Sequence, residues 1–186
     1  MTSAFDPQPT LTGDLLVVRP LRADDWDAMF AAASDPLIWE QHPSPDRYTE
    51  SAFREYFDGG LARGMAFSFV DRATGAIIGS SRYYEPNTDR SEIEIGWTFI
   101  ARPYWGGAYN REAKALMLEH AFRWFDTVVF WVAENNQRSR RAMLKIGGVL
   151  RDGIVSREIS GNKPYVVFEI RRNDWQARQQ ENGRPQ

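Results

Sequence analysis

The chain has 186 residues, 42% hydrophobic and 13% aromatic, which is one domain's length with ample apolar surface for a core. It holds no cysteine and two histidines, which excludes disulfides and thiolate chemistry and argues against a metal site. A net charge of -2 argues against a nucleic-acid partner, no apolar run approaches the roughly 18 residues of a membrane span, and residues 1–13 lack a basic-then-apolar leader, so a cytoplasmic protein is expected.

Residues 1–11 carry Pro7 and Pro9 and read as a mobile tail; a single domain is expected over 12–176, with a polar tail over 177–186. Residues 15–18 form the first strand. Asp24 or Asp25 caps a helix over 26–33. Three prolines make 34–48 a loop, and Thr49 caps a second helix to about residue 61, ended by Gly59, Gly60 and Gly64. Strands follow over 66–70 and 77–84, then a turn over 85–90 and a central strand over 91–100. The main helix is expected over 110–125, with apolar positions 113, 116, 117, 121, 124 and 125 on one stripe and His120 in the core. A buried strand over 128–132, a helix over 137–146 and closing strands over 150–156 and 166–170 around Ser160-Gly161-Asn162 complete the pattern. The order of elements indicates an α/β or α+β sheet.

The segment from Trp97 to Leu118 combines a strand, a small-residue turn and a helix start. Unpaired N–H groups and the helix dipole make such a junction an anion site. A Walker loop needs Lys-Ser/Thr after its glycines, and a dinucleotide fingerprint needs three spaced glycines. Gly106-Gly107 followed by Asn110-Arg111-Glu112 satisfies neither. Within the central strand, Gly96 marks either a bulge or relief of crowding beside Trp97. Glu92 and Glu94 share one strand face. If that face is buried, mutual repulsion raises at least one pKa and suits a general base; if not, the pair is a solvated face.

Trp105 to Asn110 resembles the acyl-CoA loop of the GNAT N-acetyltransferases, in the RimJ/RimL type that acetylates ribosomal-protein N-termini. Three further blocks are similar to that family in the family's order: Leu16 to Asp25, Glu94-Ile95-Gly96-Trp97, and Asn136, Ser139, Lys145 and Gly147. Together they span residues 15–175. Trp105, Ala108 and Asn110 depart from the family's Gln/Arg-x-x-Gly-x-Gly/Ala.

The resemblance implies a mixed, mostly antiparallel sheet of about 6–7 strands, flanked by helices and split at the central strand. It implies acetyl-CoA as co-substrate and no metal. Phe99, Ile100 and Ala101 receive the pantetheine arm, and Trp105, Gly106, Gly107, Ala108, Tyr109 and Asn110 form the diphosphate turn. Asn136 contacts pantetheine, besides serving as an ordinary helix cap. Ser139 is a candidate acid for the leaving thiolate, Glu94 the candidate base through a water, and Glu92 its reserve. Arg138, Arg140, Arg141 and Lys145 form a basic cluster that is either a solvated helix face or a contact for the 3′-phosphate. Trp39, Glu40 and His42 either line the acceptor or are plain surface. The implied reaction is acetyl transfer to a primary amine, a peptide N-terminus or small molecule, by direct attack in a ternary complex. A non-catalytic acyl-CoA-binding module is the alternative, and a homodimer stays open.

Overall fold

A computed structural model describes residues 4–157 and 163–182. The chain opens with strands β1 (Leu11–Thr12) and β2 (Leu16–Pro20), then helices α1 (Trp26–Ala33), α2 (Pro36–Trp39) and α3 (Glu50–Arg63). Strands β3 (Ala66–Asp71), β4 (Ile77–Asn87) and β5 (Glu92–Ile100) follow as a meander. Helix α4 (Ala108–Ala121), strand β6 (Thr127–Ala133) and helix α5 (Gln137–Lys145) come next. Strands β7 (Val149–Leu150), β8 (Val155–Arg157) and β9 (Lys163–Arg171) and helix α6 (Arg172–Asn182) close the fold.

The strands build one nine-stranded sheet in the order β1-β2-β3-β4-β5-β6-β9-β7, with β8 also on β9. Every pair is antiparallel except β5–β6. That parallel pair is joined by α4, because a parallel return needs a crossover. The pair is short: only Glu92, Ile93 and Glu94 register with Thr127, Val128 and Val129. Beyond Glu94, β5 stays on β4 while β6 continues on β9, so the sheet opens into a slot. This is the mixed, mostly antiparallel split sheet that the resemblance implies, with nine strands rather than about 6–7; the extra strands are the short edge pieces β1, β7 and β8.

Two apolar layers sandwich the sheet. Ile93, Ile95 and Ile100 of β5 pack with Ala113, Met117, Leu118 and Ala121 of α4 and with Phe130 and Val132 of β6. Phe99, with Trp97 at its margin, packs on the other face with Met29, Trp39, Phe53, Tyr56 and Phe57 from α1–α3.

Several expectations need correction. Within the expected N-terminal tail, Phe5 and Asp6 are docked: the Phe5 ring lies between 5.1 and 5.6 Å from the rings of Tyr83, His120, Trp124 and Phe125, and Asp6 O meets His120 Nε2 at 2.8 Å. The loop 34–48 contains α2, whose first turn is capped by Asp35 and opened by Pro36. Gly59 and Gly60 lie inside α3, because packing of the buried Gly60 face outweighs their low helix propensity; Gly64 ends the helix. Strand β4 runs on to Asn87 through a register shift at Glu85, where a turn was expected. The expected strand 150–156 is two short strands, and the polar C-terminal tail is helical through Asn182. The turn at Ser160-Gly161-Asn162 lies outside the described residues. No helix among the described residues is long and apolar enough to cross a membrane.

Candidate active site

The slot begins at a bulge in β5. Ser80 registers with Phe99 and Arg82 with Gly96, so Trp97 and Thr98 together oppose the single residue Ser81. The residue with positive φ is Trp97 (φ 53°), not Gly96. The extra residue reverses the facing of the strand: Glu94 and Trp97 lie on the α1–α3 face, while Ile95 and Ile100 lie on the α4 face. A bulky side chain in the left-handed region costs about 1–3 kcal/mol and persists only where its surroundings hold it.

Those surroundings are explicit. Tyr56 Oη donates to Trp97 O at 2.7 Å, and Ser81 Oγ donates to Gly96 O at 3.2 Å from the opposite face. The Trp97 ring packs on Tyr84 at 4.7 Å, with Arg82 5.4 Å from its centroid. Gly96 has a different role from the one expected. A Cβ there would stand 2.7 Å from Glu94 Oε1, so glycine makes room for the carboxylate two residues earlier.

Glu94 is 4% exposed on the α1–α3 face, beside the bulge. Glu92 shares its face but has a structural tether: Arg151 bridges Glu92 and Glu169 across the sheet. Arg151 and Arg171 hold the Glu169 carboxyl below its usual range against the opposing effect of burial.

Lys114 was not among the expected site residues. It is 2% exposed on α4, and its Nζ donates to Thr98 Oγ1 at 2.6 Å, with Ser81 Oγ at 3.5 Å. The ammonium also lies 5.4 Å from the Phe130 centroid, so it spans the floor of the slot from β5 to β6. No carboxylate pairs with it among the described residues, and burial pushes its pKa down to about 7. The only sequence signal is a lysine adjoining the apolar stripe of α4 at Ala113 and Met117.

At the far end of β5, Ala101 N–H donates to Ile78 O at 2.8 Å and Ala101 O accepts from Tyr104 N–H at 3.0 Å. Ile100 turns its carbonyl to the other side, where it accepts from Trp105 Nε1 at 2.7 Å. Phe99 is buried against Trp39 and Tyr56. Gly106 and Gly107 have φ of 111° and 109°, which a side chain rarely adopts. A Cβ at either would meet nothing within 4 Å, so the turn faces open space. Helix α4 starts at Ala108 with no side-chain cap, and helix geometry leaves the first-turn amides of Ala108, Tyr109 and Asn110 without intrahelical acceptors. The Tyr109 ring turns away to Asp71 and Tyr104. This open, uncapped turn fits a diphosphate.

Asn136 Oδ1 accepts from Ser139 N–H at 3.0 Å, an ordinary helix cap. The expected basic cluster divides. Arg138 reaches across the mouth of the slot: its guanidinium lies 4.4 Å from the Trp105 centroid and donates to Ile38 O, while its N–H meets Gln41 Oε1 at 3.1 Å. Arg140 and Arg141 donate to the carbonyls of Glu134 and Gln137, and Lys145 is exposed. The expected residues therefore fall into three places: the bulge with Glu94, the turn 105–110, and the start of α5.

Residues 16–149 match the acetyltransferase (GNAT) domain family, and the chain belongs to it. Members transfer an acetyl group from acetyl-CoA, and this is the chain's class of activity. No relative is found among curated proteins. Similar solved structures include a GCN5-related N-acetyltransferase from Brucella melitensis, with TM-score 0.82, 20% identity, and coverage of 95% of this chain and 85% of that one. A GNAT-family acetyltransferase from Bacillus anthracis has TM-score 0.71, 20% identity, and coverage of 88% and 98%. RimJ from Mycobacterium smegmatis, in complex with CoA-disulfide, has TM-score 0.66, 18% identity, and coverage of 90% and 88%. At these identities the likeness bears on the fold.

Proposed function

We propose that the protein is an N-acetyltransferase that moves acetyl from acetyl-CoA to a primary amine by direct attack in a ternary complex. The observation that carries this reading is the buried Glu94 carboxylate beside the β5 bulge, at the point where β5 and β6 part. Acetyl-CoA supplies the acetyl group already activated as a thioester. The amides of Gly106 to Asn110 hold its diphosphate. The end of β5 at Phe99, Ile100 and Ala101, with Asn136, lies along the pantetheine arm, although Ala101 N–H and O and Ile100 O already hold partners within the chain. Arg141 and the exposed Lys145 on α5 are the candidates for the 3′-phosphate.

Glu94 takes the proton from the acceptor ammonium through a water, which frees the nitrogen lone pair. A backbone amide of the bulged strand faces the developing oxyanion. Ser139, whose N–H is committed to Asn136, keeps its hydroxyl as the candidate donor to the thiolate. Glu92, tethered to Arg151, serves the sheet rather than the reaction. The RimJ/RimL resemblance of the sequence suggests a peptide N-terminus as acceptor, alongside small amines.

Calorimetric titration with acetyl-CoA, followed by thiol release on N-terminal peptides and small amines, tests this reading. Binding with release is expected, and Glu94→Gln should lower kcat by about 10²–10⁴-fold while acetyl-CoA still binds. The indole of Trp105 on Ile100 O favours a second reading, a non-catalytic acyl-CoA module. Binding without release across the whole amine panel would select it.

A further inference from the structure

The loop after α2 contains a hydrogen-bond conflict that the chain itself does not resolve. Ser44 N–H points at His42 Nδ1 at 3.0 Å, and Arg47 Nη1 faces His42 Nε2 at 3.2 Å. A neutral imidazole has one lone-pair nitrogen and one N–H. Whichever tautomer forms, one of these contacts sets a donor against a donor. Protonation would make both contacts donor against donor. Burial first, then Arg47, Lys163 and Arg138, push the ring's pKa down to about 3, against the Ser44 hydrogen bond.

The surroundings supply more donors and little negative charge. The Arg47 guanidinium lies 4.9 Å from the Tyr56 centroid and 5.4 Å from that of Trp39, and its other hydrogen bond is a long one to Ser44 Oγ at 3.5 Å. Arg82 lies 4.4 Å from the same Tyr56 ring, is 5% exposed, and has a buried Nε without an acceptor. Lys163 donates to Pro43 O in the same loop. Among the described residues no carboxylate forms an ion pair with Arg47, Arg82 or Lys163; Glu40 pairs with Arg138 and is half exposed. In a chain of net charge -2, this local excess of cations is not a reflection of composition.

The cluster adjoins the proposed point of transfer, because the hydroxyl of that same Tyr56 holds the Trp97 carbonyl at the bulge. We infer that the acceptor is a primary amine bearing an anionic oxygen group, carboxylate or phosphate, received by Arg47 and His42 beside Tyr56. The inference rests on the N-acetyltransferase reading and narrows its acceptor. An anionic oxygen accepts from both Arg47 Nη1 and the His42 N–H, which removes the conflict and gives charge-assisted bonds. Arg82 adds attraction from across the ring. A neutral acceptor leaves those half-buried donors facing each other, which is how a polar site rejects an analogue lacking the matching group.

The test is thiol release by the full chain at saturating acetyl-CoA, with paired amines. The pairs are β-alanine against its amide, phosphoethanolamine against ethanolamine, and peptides with acidic or amide side chains next to the N-terminus. At least one anionic partner should be preferred by about tenfold or more in kcat/KM, and the pair affected tells carboxylate from phosphate. In Arg47→Gln that ratio should fall toward one, Arg47→Lys should restore part of it, and the acetyl-CoA Kd should hold. A turning-over enzyme with no anionic preference in any pair overturns the inference and leaves the N-acetyltransferase reading standing. Loss of acetyl-CoA affinity in Arg47→Gln, matching the loss toward the amine, assigns the cations to the donor's phosphates and also overturns it. Ring 15N resonances of His42 in the wild-type protein give a readout free of turnover. They should shift with the anionic amine and stay fixed with its neutral partner; equal responses count against the site.

Discussion

The two faces of the β5 bulge hold buried cations in opposite ways. On the α4 side, Lys114 stands in an apolar layer and its donors end on the Thr98 and Ser81 hydroxyls. On the α1–α3 side, Arg47 and Arg82 share the Tyr56 ring, with an unsatisfied Nε and a donor-against-donor contact at His42. A buried cation whose hydrogen bonds close on the backbone's neighbours shapes the strand. A cation cluster of buried Arg82, which donates from Nη2 to Tyr56 O but keeps an unsatisfied Nε, and half-buried Arg47 is suited to a group that arrives from outside. The same β-strand thus presents a supporting face and a receiving face, divided by one inserted residue.

The sharpest way to break the comparison is at the receiving face. The expected loss of about 10²–10⁴-fold in kcat for Glu94→Gln, read by thiol release, would be the largest effect in the molecule. Retained turnover would remove Glu94 from the chemistry.

Lys114→Met tests the supporting face. An uncompensated buried charge opposes folding, and an apolar side chain of similar volume should raise stability by about 1–4 kcal/mol near pH 6, roughly 5 °C in Tm. The sign follows from its pKa, which lies at about 7 in the folded protein against the ordinary 10.5. Between those values the unfolded chain binds more protons, so the wild type gains stability as pH rises. The cost of burial is complete below about pH 7, so the Met variant's advantage should shrink from pH 7 toward 10.5 in thermal melts.

Tyr56→Phe touches both faces through the backbone. It removes the donor to Trp97 O and should cost about 1 kcal/mol in denaturant melts, with a fall in kcat that exceeds any change in acetyl-CoA affinity. Glu92→Gln should have the smallest effect. It should lower stability by about 0.5–1 kcal/mol in the same melts, since Arg151 keeps Glu169, and should change kcat by less than about threefold. A loss matching that of Glu94→Gln would return Glu92 to the reaction.

Much of the architecture was legible because it depends on local periodicity and caps. Helix α1 and strand β5 follow apolar spacing and form where the pattern places them, although the expected cap of α1 is not made: the Asp25 carboxylate binds Arg19, Ser68 and Arg22 N–H instead. The short edge strands β1 and β7 have no such pattern, since each pairs over two residues only and owes its form to its neighbour. The turn at Gly106 and Gly107 was legible because positive φ favours glycine, and the diphosphate site proposed there would need only backbone. The bulge was displaced by one residue for the same reason. Glycine is the residue expected to adopt unusual backbone, yet Trp97 takes the positive φ and Gly96 makes space for Glu94.

Lys114, Arg47 and His42 mark the limit of a linear reading. A lysine beside a helical stripe and an arginine in a proline-rich loop are ordinary surface residues until distant segments cover them. Residue spacing by itself determined the order of elements and the glycine turn at Gly106 and Gly107, because hydrophobic period and glycine's freedom act over a few residues; the split sheet was implied by the resemblance to the GNAT family. Only the tertiary structure decided which Glu is buried beside the bulge, which cations lose their water, and which donors face each other without an acceptor. Burial and desolvation depend on the packing of whole layers, and segments as far apart as residues 42, 82 and 163 meet only after the sheet has closed over α3.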